Sequence, residues 1–351
     1  MKTERIREEN YYLYLLAKMK THMTLLLLWL VVVVSLPAPS YQQIEFYEWM
    51  KKQPMTAADA SKTADCAKKD AALSSAEKHM ALNVISPLNT NDEDGLYLTI
   101  GKAIDNIPDG NTERYNIRLL PGTVYREKVF LSKSNPFVTI SCDDPYNPAV
   151  IVWNDTAATL GKDGKPLGID GSSTVTIESD YFIAYGVVFK NDAPPSKPWG
   201  AKNAEAPALR MLGTKATIYH STIEGGQGTL YDQKGLHYYK SSTIKGIVDF
   251  IFGSAKSFYE DCRIISVNKN TINLPIKALL IREDIRVNPG ESGFSFKTYT
   301  VEGEEGQQQI YLGREGSPAV YSYSKTDKFI WPLIYDSENN AQIPNISAKV
   351  Q

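Results

Sequence analysis

The sequence predicts an all-β chain wound as a parallel β-helix, a solenoid, with one short helix near its N-terminal end. Three observations carry this. Past residue 115 the chain is a succession of short apolar runs, each bounded by Gly, Pro, Asn or Asp. They include Ile117-Arg118-Leu119-Leu120, Val138-Thr139-Ile140, Val150-Ile151-Val152-Trp153 and Thr174-Val175-Thr176-Ile177. No long helical period separates them, so alternating strand–helix units are not expected. The runs also repeat: Ala216 to Gly225 resembles His237 to Gly246, and Ser257 to Ile264 carries the pattern again. Ile223, Ile244 and Ile264 fall 21 and 20 residues apart, and a looser copy, Gly293 to Gly303, follows an insertion. Short strands recurring at that period stack as coils, each coil completing the core of the next. A sandwich of hairpins is the alternative, and it gives no reason for similar copies.

In chain order, the first informative stretch is Leu25 to Val34, unbroken apolar sequence preceded by Lys18, Lys20 and His22 and followed by Leu36-Pro37-Ala38-Pro39-Ser40. A basic flank, a short apolar core and small residues before a break describe a secretory signal. Residues 1–40 are read as that signal, with an upstream extension before Met19; a signal anchor is the alternative. Residues 41–82 are polar and Ala/Lys-rich, and Thr56 to Met80 reads as a loose helix or linker. From Leu96 to Pro108, Ile100, Ala103, Ile104 and Ile107 fall on one face of an amphipathic helix that Pro108 ends. Residues 83–335 are read as the solenoid and 336–351 as a tail.

Composition excludes several classes. The 351 residues carry a net charge of −2, so no global basic field points to nucleic acid or an anionic membrane. Cys66, Cys142 and Cys262 are too few and too scattered for a disulfide framework or a zinc site. Most of the 21 tyrosines are expected in the core, although aromatic residues also line sugar-binding grooves. His220 and His237 sit at strand positions and read as structural. No cofactor or metal is expected.

Chemistry concentrates at Gly246-Ile247-Val248-Asp249-Phe250-Ile251-Phe252-Gly253, a carboxylate inside an apolar run with a glycine at each end. A covered Asp is costly unless something pairs with it or uses it. The repeat gives it neighbours. Asp249 follows Ile244 by five residues as Gly228 follows Ile223, which places the two on adjacent coils about 4.8 Å apart. Gln227 lies beside Gly228, and Glu205 lies 22 residues before Gln227, so Glu205, Gln227 and Asp249 stack along one outer stripe.

These residues resemble the plant pectin methylesterase (pectinesterase) family. Gly122-Thr123-Val124-Tyr125-Arg126-Glu127 corresponds to its GxYxE motif with one more residue between Gly and Tyr, and Val248 to Gly253 contains DFIFG in full. Glu205 to Arg210 sits where the family has QAVALR, Gln227-Gly228-Thr229-Leu230 where it has QDTL, and Leu312-Gly313-Arg314-Glu315-Gly316 partly matches LGRPW. The similarity runs from about Asn83 to Leu333. It implies a secreted, right-handed β-helix that acts as a monomer in the cell wall, with no membrane attachment once the signal is removed. Its activity would be hydrolysis of methyl esters of homogalacturonan, releasing methanol. It further implies Asp249 as nucleophile, Gln227 as oxyanion donor and Arg314 as the cation that keeps the nucleophile ionised. Phe250, Phe252, Tyr231 and Arg314 would contact substrate. Asn154-Asp155-Thr156 and Asn345-Ile346-Ser347 would be available for glycosylation in a secreted chain.

The pattern is broken at named places. Gly228 replaces the acid/base Asp, Glu205 replaces a glutamine donor, and Glu315-Gly316 replaces Pro-Trp. Residues 268–288 align poorly, and a shortened C-terminal coil region and no inhibitor-like pro-domain are expected. Glu205, or Asp232 four residues past Gly228, could supply the proton that Gly228 cannot. The competing reading is a catalytically impaired relative that binds pectin without turnover. A serine esterase is excluded by the lack of Gly-x-Ser-x-Gly. Neither the Asp clusters of a calcium-dependent lyase nor a glycosidase carboxyl pair is found.

Overall fold

The computed structural model describes residues 79–84, 96–194, 203–267, 278–279, 281–283, 292–303, 310–314, 319–322, 325–326, 330–336 and 341–344, all in one compact unit, Ala60–Gln351. The expectations for the signal, its extension, most of the linker, Cys66 and Asn345 lie outside the described residues. Within them, the short runs do form the coils of a parallel β-helix. Successive strands pass through three sheets of ten, eight and six strands, each joined to its neighbours in parallel.

The repeat is visible as register. In the second sheet Tyr125, Ile151, Phe189, Ile223, Ile244, Ile264 and Val301 stand directly above one another. All seven are fully buried, and each such side chain contributes roughly 1.5–3 kcal/mol by leaving water. The matching ladder of the first sheet changes character along its length. Ile117, Ile140, Ala184 and Ile218 give way to Tyr239, Tyr259 and Phe296, whose rings stack at 4.5 and 4.4 Å. The looser copy holds its place: Gly293–Lys297 pairs with Lys256–Glu260, and Thr300–Gly303 with Arg263–Ser266.

Between first and second sheets, five coils turn through one left-handed residue each. Gly186, His220, Ser241, Asp261 and Thr298 fill these corners with φ from 46° to 65°. Four of the five are not glycine, so the bend is held by stacking on the neighbouring coils and not by glycine's freedom.

The helix is shorter than its apolar spacing predicts. It spans Ile100–Asp105, with Leu96–Tyr97 instead a strand at the edge of the first sheet. Thr99 Oγ1 accepts from Lys102 N at its start, and Asn106 caps its end before Ile107 and Pro108. Glu127, the acidic residue of the GxYxE motif, accepts from Ile100 N and Gly101 N at 2.9 and 3.1 Å. That carboxylate satisfies N–H groups that a helix cannot bond internally. Linker reading also gives way at its end, where His79–Val84 pairs with Arg114–Leu119. Met80, Leu82 and Val84 alternate with less apolar residues there, the period of a strand. A fourth sheet, Ala278–Leu279, Ile310–Arg314, Ile330–Asp336 and Ala341–Pro344, ends in an antiparallel pair.

Candidate active site

Two consecutive corners between the second and third sheets build the site. Gln227 bridges Val248, and three residues on Leu230 pairs with Ile251, so Gly228 and Asp249 occupy equivalent places on adjacent coils. Gly228 N donates to Val248 O at 3.1 Å, and on the other side Ala206 N donates to Gln227 O at 2.9 Å. Both corner residues are left-handed, Gly228 at φ 66° and Asp249 at φ 48°. Asp is among the few side chains that tolerate this conformation, and its cost is of the kind concentrated at functional positions. Asp249 and Gln227 are 8% and 7% exposed, on the outer rim of the coil.

Glu205, half-buried, occupies the third tier. A Cβ placed on Gly228 would lie 3.4 and 3.5 Å from Glu205 Cβ and Cγ, and 3.2 Å from Phe252 Cε1. Glu205 Cβ and Cγ therefore border the space that a residue-228 side chain would use. Glu205 O in turn accepts from Ala157 N at 2.8 Å, tying this tier to the loop after Ala149–Trp153.

The flanking third sheet supplies the walls. Arg210, Tyr231 and Phe252 share one register row on Leu209–Met211, Leu230–Asp232 and Ile251–Gly253. Tyr231 and Phe252 stack at 4.4 Å, nearly parallel, and the Arg210 guanidinium lies 5.6 Å from the Tyr231 ring centre. Arg210 Nε donates to Gln233 Oε1 at 2.7 Å, and its other end binds Asp170. Arg282 is the next residue of the row by backbone register.

Phe250 corrects the expectation of a substrate contact. It is fully buried and packs in the core with its neighbour Ile251. The left-handed turn at Asp249 breaks strand alternation, so two consecutive residues face inward before Phe252 faces out. The glycines bracketing the motif have packing reasons. A Cβ on Gly246 would lie 2.1 Å from Phe250 Cβ, and one on Gly253 would lie 2.1 Å from Asp232 O. Arg314 ends the strand Ile310–Arg314, paired with Tyr335. That strand approaches Ile281–Glu283, which pairs with the Asp249-bearing segment Ile251–Gly253.

Asp232 is the second correction, because it is not placed to donate a proton at this rim. It points into the solenoid and is fully buried. Its Oδ1 lies 2.5 Å from His237 Nδ1, and it accepts from the Tyr239 and Tyr259 hydroxyls at 3.1 and 2.7 Å. Burial opposes ionisation of Asp232, but the His237 charge and these hydrogen bonds hold its pKa below the ordinary carboxylate value. Burial likewise opposes charging of His237, and Asp232 reverses that and raises its pKa. His220, at a corner, packs on Tyr219 at 4.3 Å. His237 lies on a strand, Leu236–Lys240, as expected, whereas His220 falls at the corner just past Ala216–Tyr219 and not on a strand.

Reading the motifs missed Arg210, Gln233 and the task of Glu127. Arg210 was legible: it ends the Glu205–Arg210 motif and falls 21 residues before Tyr231, one coil earlier. Among the described residues, no group of three or more His, Cys, Asp or Glu side chains could ligate a metal.

Comparison with known proteins agrees with the motifs. The Pectinesterase family model matches residues 88–336. Pectinesterase QRT1 of Arabidopsis thaliana is 39% identical over 230 residues, covering 65% of this chain and 56% of that protein. Pectinesterase 1 of Olea europaea is 35% identical over 245 residues, covering 69% and 62% respectively. The chain thus spans about three-fifths of the length of these relatives. A solved pectin methylesterase in complex with a hexasaccharide aligns over 77% of this chain and 87% of its own, with TM-score 0.62 and 22% identity. At that identity the likeness shows the shared fold alone.

Proposed function

This chain belongs to the pectinesterase family, and on that premise we propose that it is a carboxylic ester hydrolase acting on methyl-esterified homogalacturonan in the cell wall. The observation that carries the proposal is the stacked corner. Asp249 stands on one coil, Gly228 on the next, and Glu205 Cβ and Cγ border the space Gly228 leaves open. In this reading the Glu205 carboxyl, one coil beyond Gly228 and two from Asp249, reaches toward the nucleophile across that space.

In this reading the Asp249 carboxylate attacks the ester carbonyl carbon, and the resulting oxyanion is met by the Gln227 amide. Protonated Glu205 gives its proton to the departing methoxide, so methanol leaves and an acyl-Asp249 anhydride remains. Glu205, now ionised, takes a proton from water. The hydroxide adds to the acyl carbon and Asp249 departs as a carboxylate, leaving the free acid on the sugar and the proton on Glu205. Arg314 is assigned to holding Asp249 charged. Tyr231 and Phe252 are assigned to the sugar, with Arg210 as a further cation at that wall. Asn154, exposed after the strand Ala149–Trp153, is the glycosylation site of a secreted chain.

Methanol release from highly methylated pectin by the full chain tests the proposal. Turnover lost in Asp249→Asn supports it. Binding without release by the native chain, together with release by Gly228→Asp, would establish the impaired pectin-binding reading instead.

A further inference from the structure

The polar cluster inside the solenoid lies directly behind the aromatic wall. Both nitrogens of His237 face acceptors: Nδ1 lies 2.5 Å from Asp232 Oδ1 and Nε2 2.6 Å from the Gly213 carbonyl oxygen. A neutral imidazole carries one N–H, so it would set a lone pair against one of these oxygens. The ring satisfies both only as imidazolium. The charge is compensated by one carboxylate, which takes further hydrogen bonds from Tyr239 and Tyr259. Other titratable groups facing it are those two phenols, raised well above their ordinary pKa by burial and by the Asp232 charge, and Cys262, whose thiol burial pushes up to about 12. All three remain protonated at neutral pH, and Asp232 and His237 are the charged pair.

We infer that the Asp232–His237 pair is a positioning device for the wall formed by Arg210, Tyr231 and Phe252. This inference rests on the proposed use of that wall. Three links connect inside to outside. Asp232 is the residue after Tyr231, so fixing its inward carboxylate fixes the outward direction of the tyrosine on the same strand. Gln233 follows, and its side chain holds Arg210. Main-chain bonds complete the frame: Gln233 N and Lys234 N donate to Met211 O, and Ala255 N donates to Asp232 O. His237 bonds Gly213 O on the preceding coil, Tyr259 stands on the following coil, and Tyr259 stacks on Phe296 one coil further. The pair therefore clamps the corners of consecutive coils whose outer side chains make the wall. Asp232 and His237 touch no substrate and are positioning residues.

The test has a spectroscopic and a binding arm, both on the full chain. With ¹⁵N-labelled histidine, one of the four imidazoles is expected to keep both nitrogens protonated at pH values where the others have lost a proton, and this signature is expected to vanish in Asp232→Asn. For highly methylated pectin, Kd is expected to rise at least fivefold in His237→Gln. Gln233→Ala, which leaves the buried pair intact, should weaken binding similarly while preserving the imidazolium signature, and it serves if His237→Gln does not fold. A ring titrating near the ordinary value, or unchanged Kd in folded His237→Gln and in Gln233→Ala, would overturn the inference. Wild-type protein that binds no pectin would instead refute the proposed use of the wall.

Discussion

Replacing Glu205 with Gln removes the proposed proton donor while keeping the shape of its side chain. Loss of a positioned acid lowers turnover by ~10²–10⁴, which at 1.36 kcal/mol per tenfold is roughly 3–5 kcal/mol of barrier. The geometry then offers a rescue. Asp at position 228 would place its Cβ 3.4 Å from Glu205 Cβ and 3.2 Å from Phe252 Cε1, so these neighbours must yield by a few tenths of an ångström. Its backbone would keep φ near 66°, the left-handed region that Asp249 already occupies at 48° on the next coil. A non-glycine residue there costs about 1–2 kcal/mol of stability, less than the barrier to be recovered. The expected order of methanol release is wild type, then Glu205→Gln/Gly228→Asp within about tenfold, then Glu205→Gln slower by the full ~10²–10⁴. Release should be followed from pH 5 to 8 beside thermal melting, so that misfolding is separated from lost chemistry. Turnover in Glu205→Gln within threefold of wild type, or a double variant no faster than the single, would refute the displaced-acid argument.

Asp249→Gly should abolish methanol release yet raise the melting temperature, because glycine relieves a left-handed side chain at a cost of about 1–2 kcal/mol. Gly246→Ala should destabilise by about 3 kcal/mol or prevent folding, read from urea unfolding, since the added methyl meets Phe250 Cβ at 2.1 Å. Stability should have a maximum set by the buried pair. Asp232, with its pKa lowered, contributes above its unfolded value of 3.8 and loses that contribution as pH falls through the folded value. His237, with its pKa raised, contributes below 6.5 and loses it as pH rises through the folded value. Unfolding free energy measured across pH should therefore be largest between those two limits and flatter in Asp232→Asn/His237→Gln. Glu127→Ala should cost about 1 kcal/mol and speed amide exchange in Ile100–Asp105 while leaving methanol release unchanged, because that carboxylate caps the helix.

Much of the coil geometry was legible because a solenoid writes its third dimension into sequence spacing. Ile223, Ile244 and Ile264 announce their register, and from it the adjacency of Gly228 and Asp249 follows by counting. Facing was harder. Strand alternation predicts which side a residue takes only while the backbone stays extended, and the left-handed turn at Asp249 resets it, sending Phe250 inward. Asp232 was misread for a related reason: an Asp near a corner looks like a surface residue until His237, five positions on and across a bend, supplies the partner that permits its burial. Glu127 belongs to a motif, but its partners lie 26 and 27 residues earlier, at a helix start that spacing alone does not connect to it.

The corners that turn five of the coils accept glycine, histidine, serine, aspartate or threonine in one shared conformation. A backbone so repetitive behaves like a lattice of equivalent addresses, spaced about 4.8 Å apart. A reactive group can be lost at one address and supplied from the adjoining one without redesigning the scaffold. In the proposed mechanism Gly228 and Glu205 have this relation, and it gives engineers of such solenoids a simple rule: transplant a functional group by whole rungs, keeping its place within the coil.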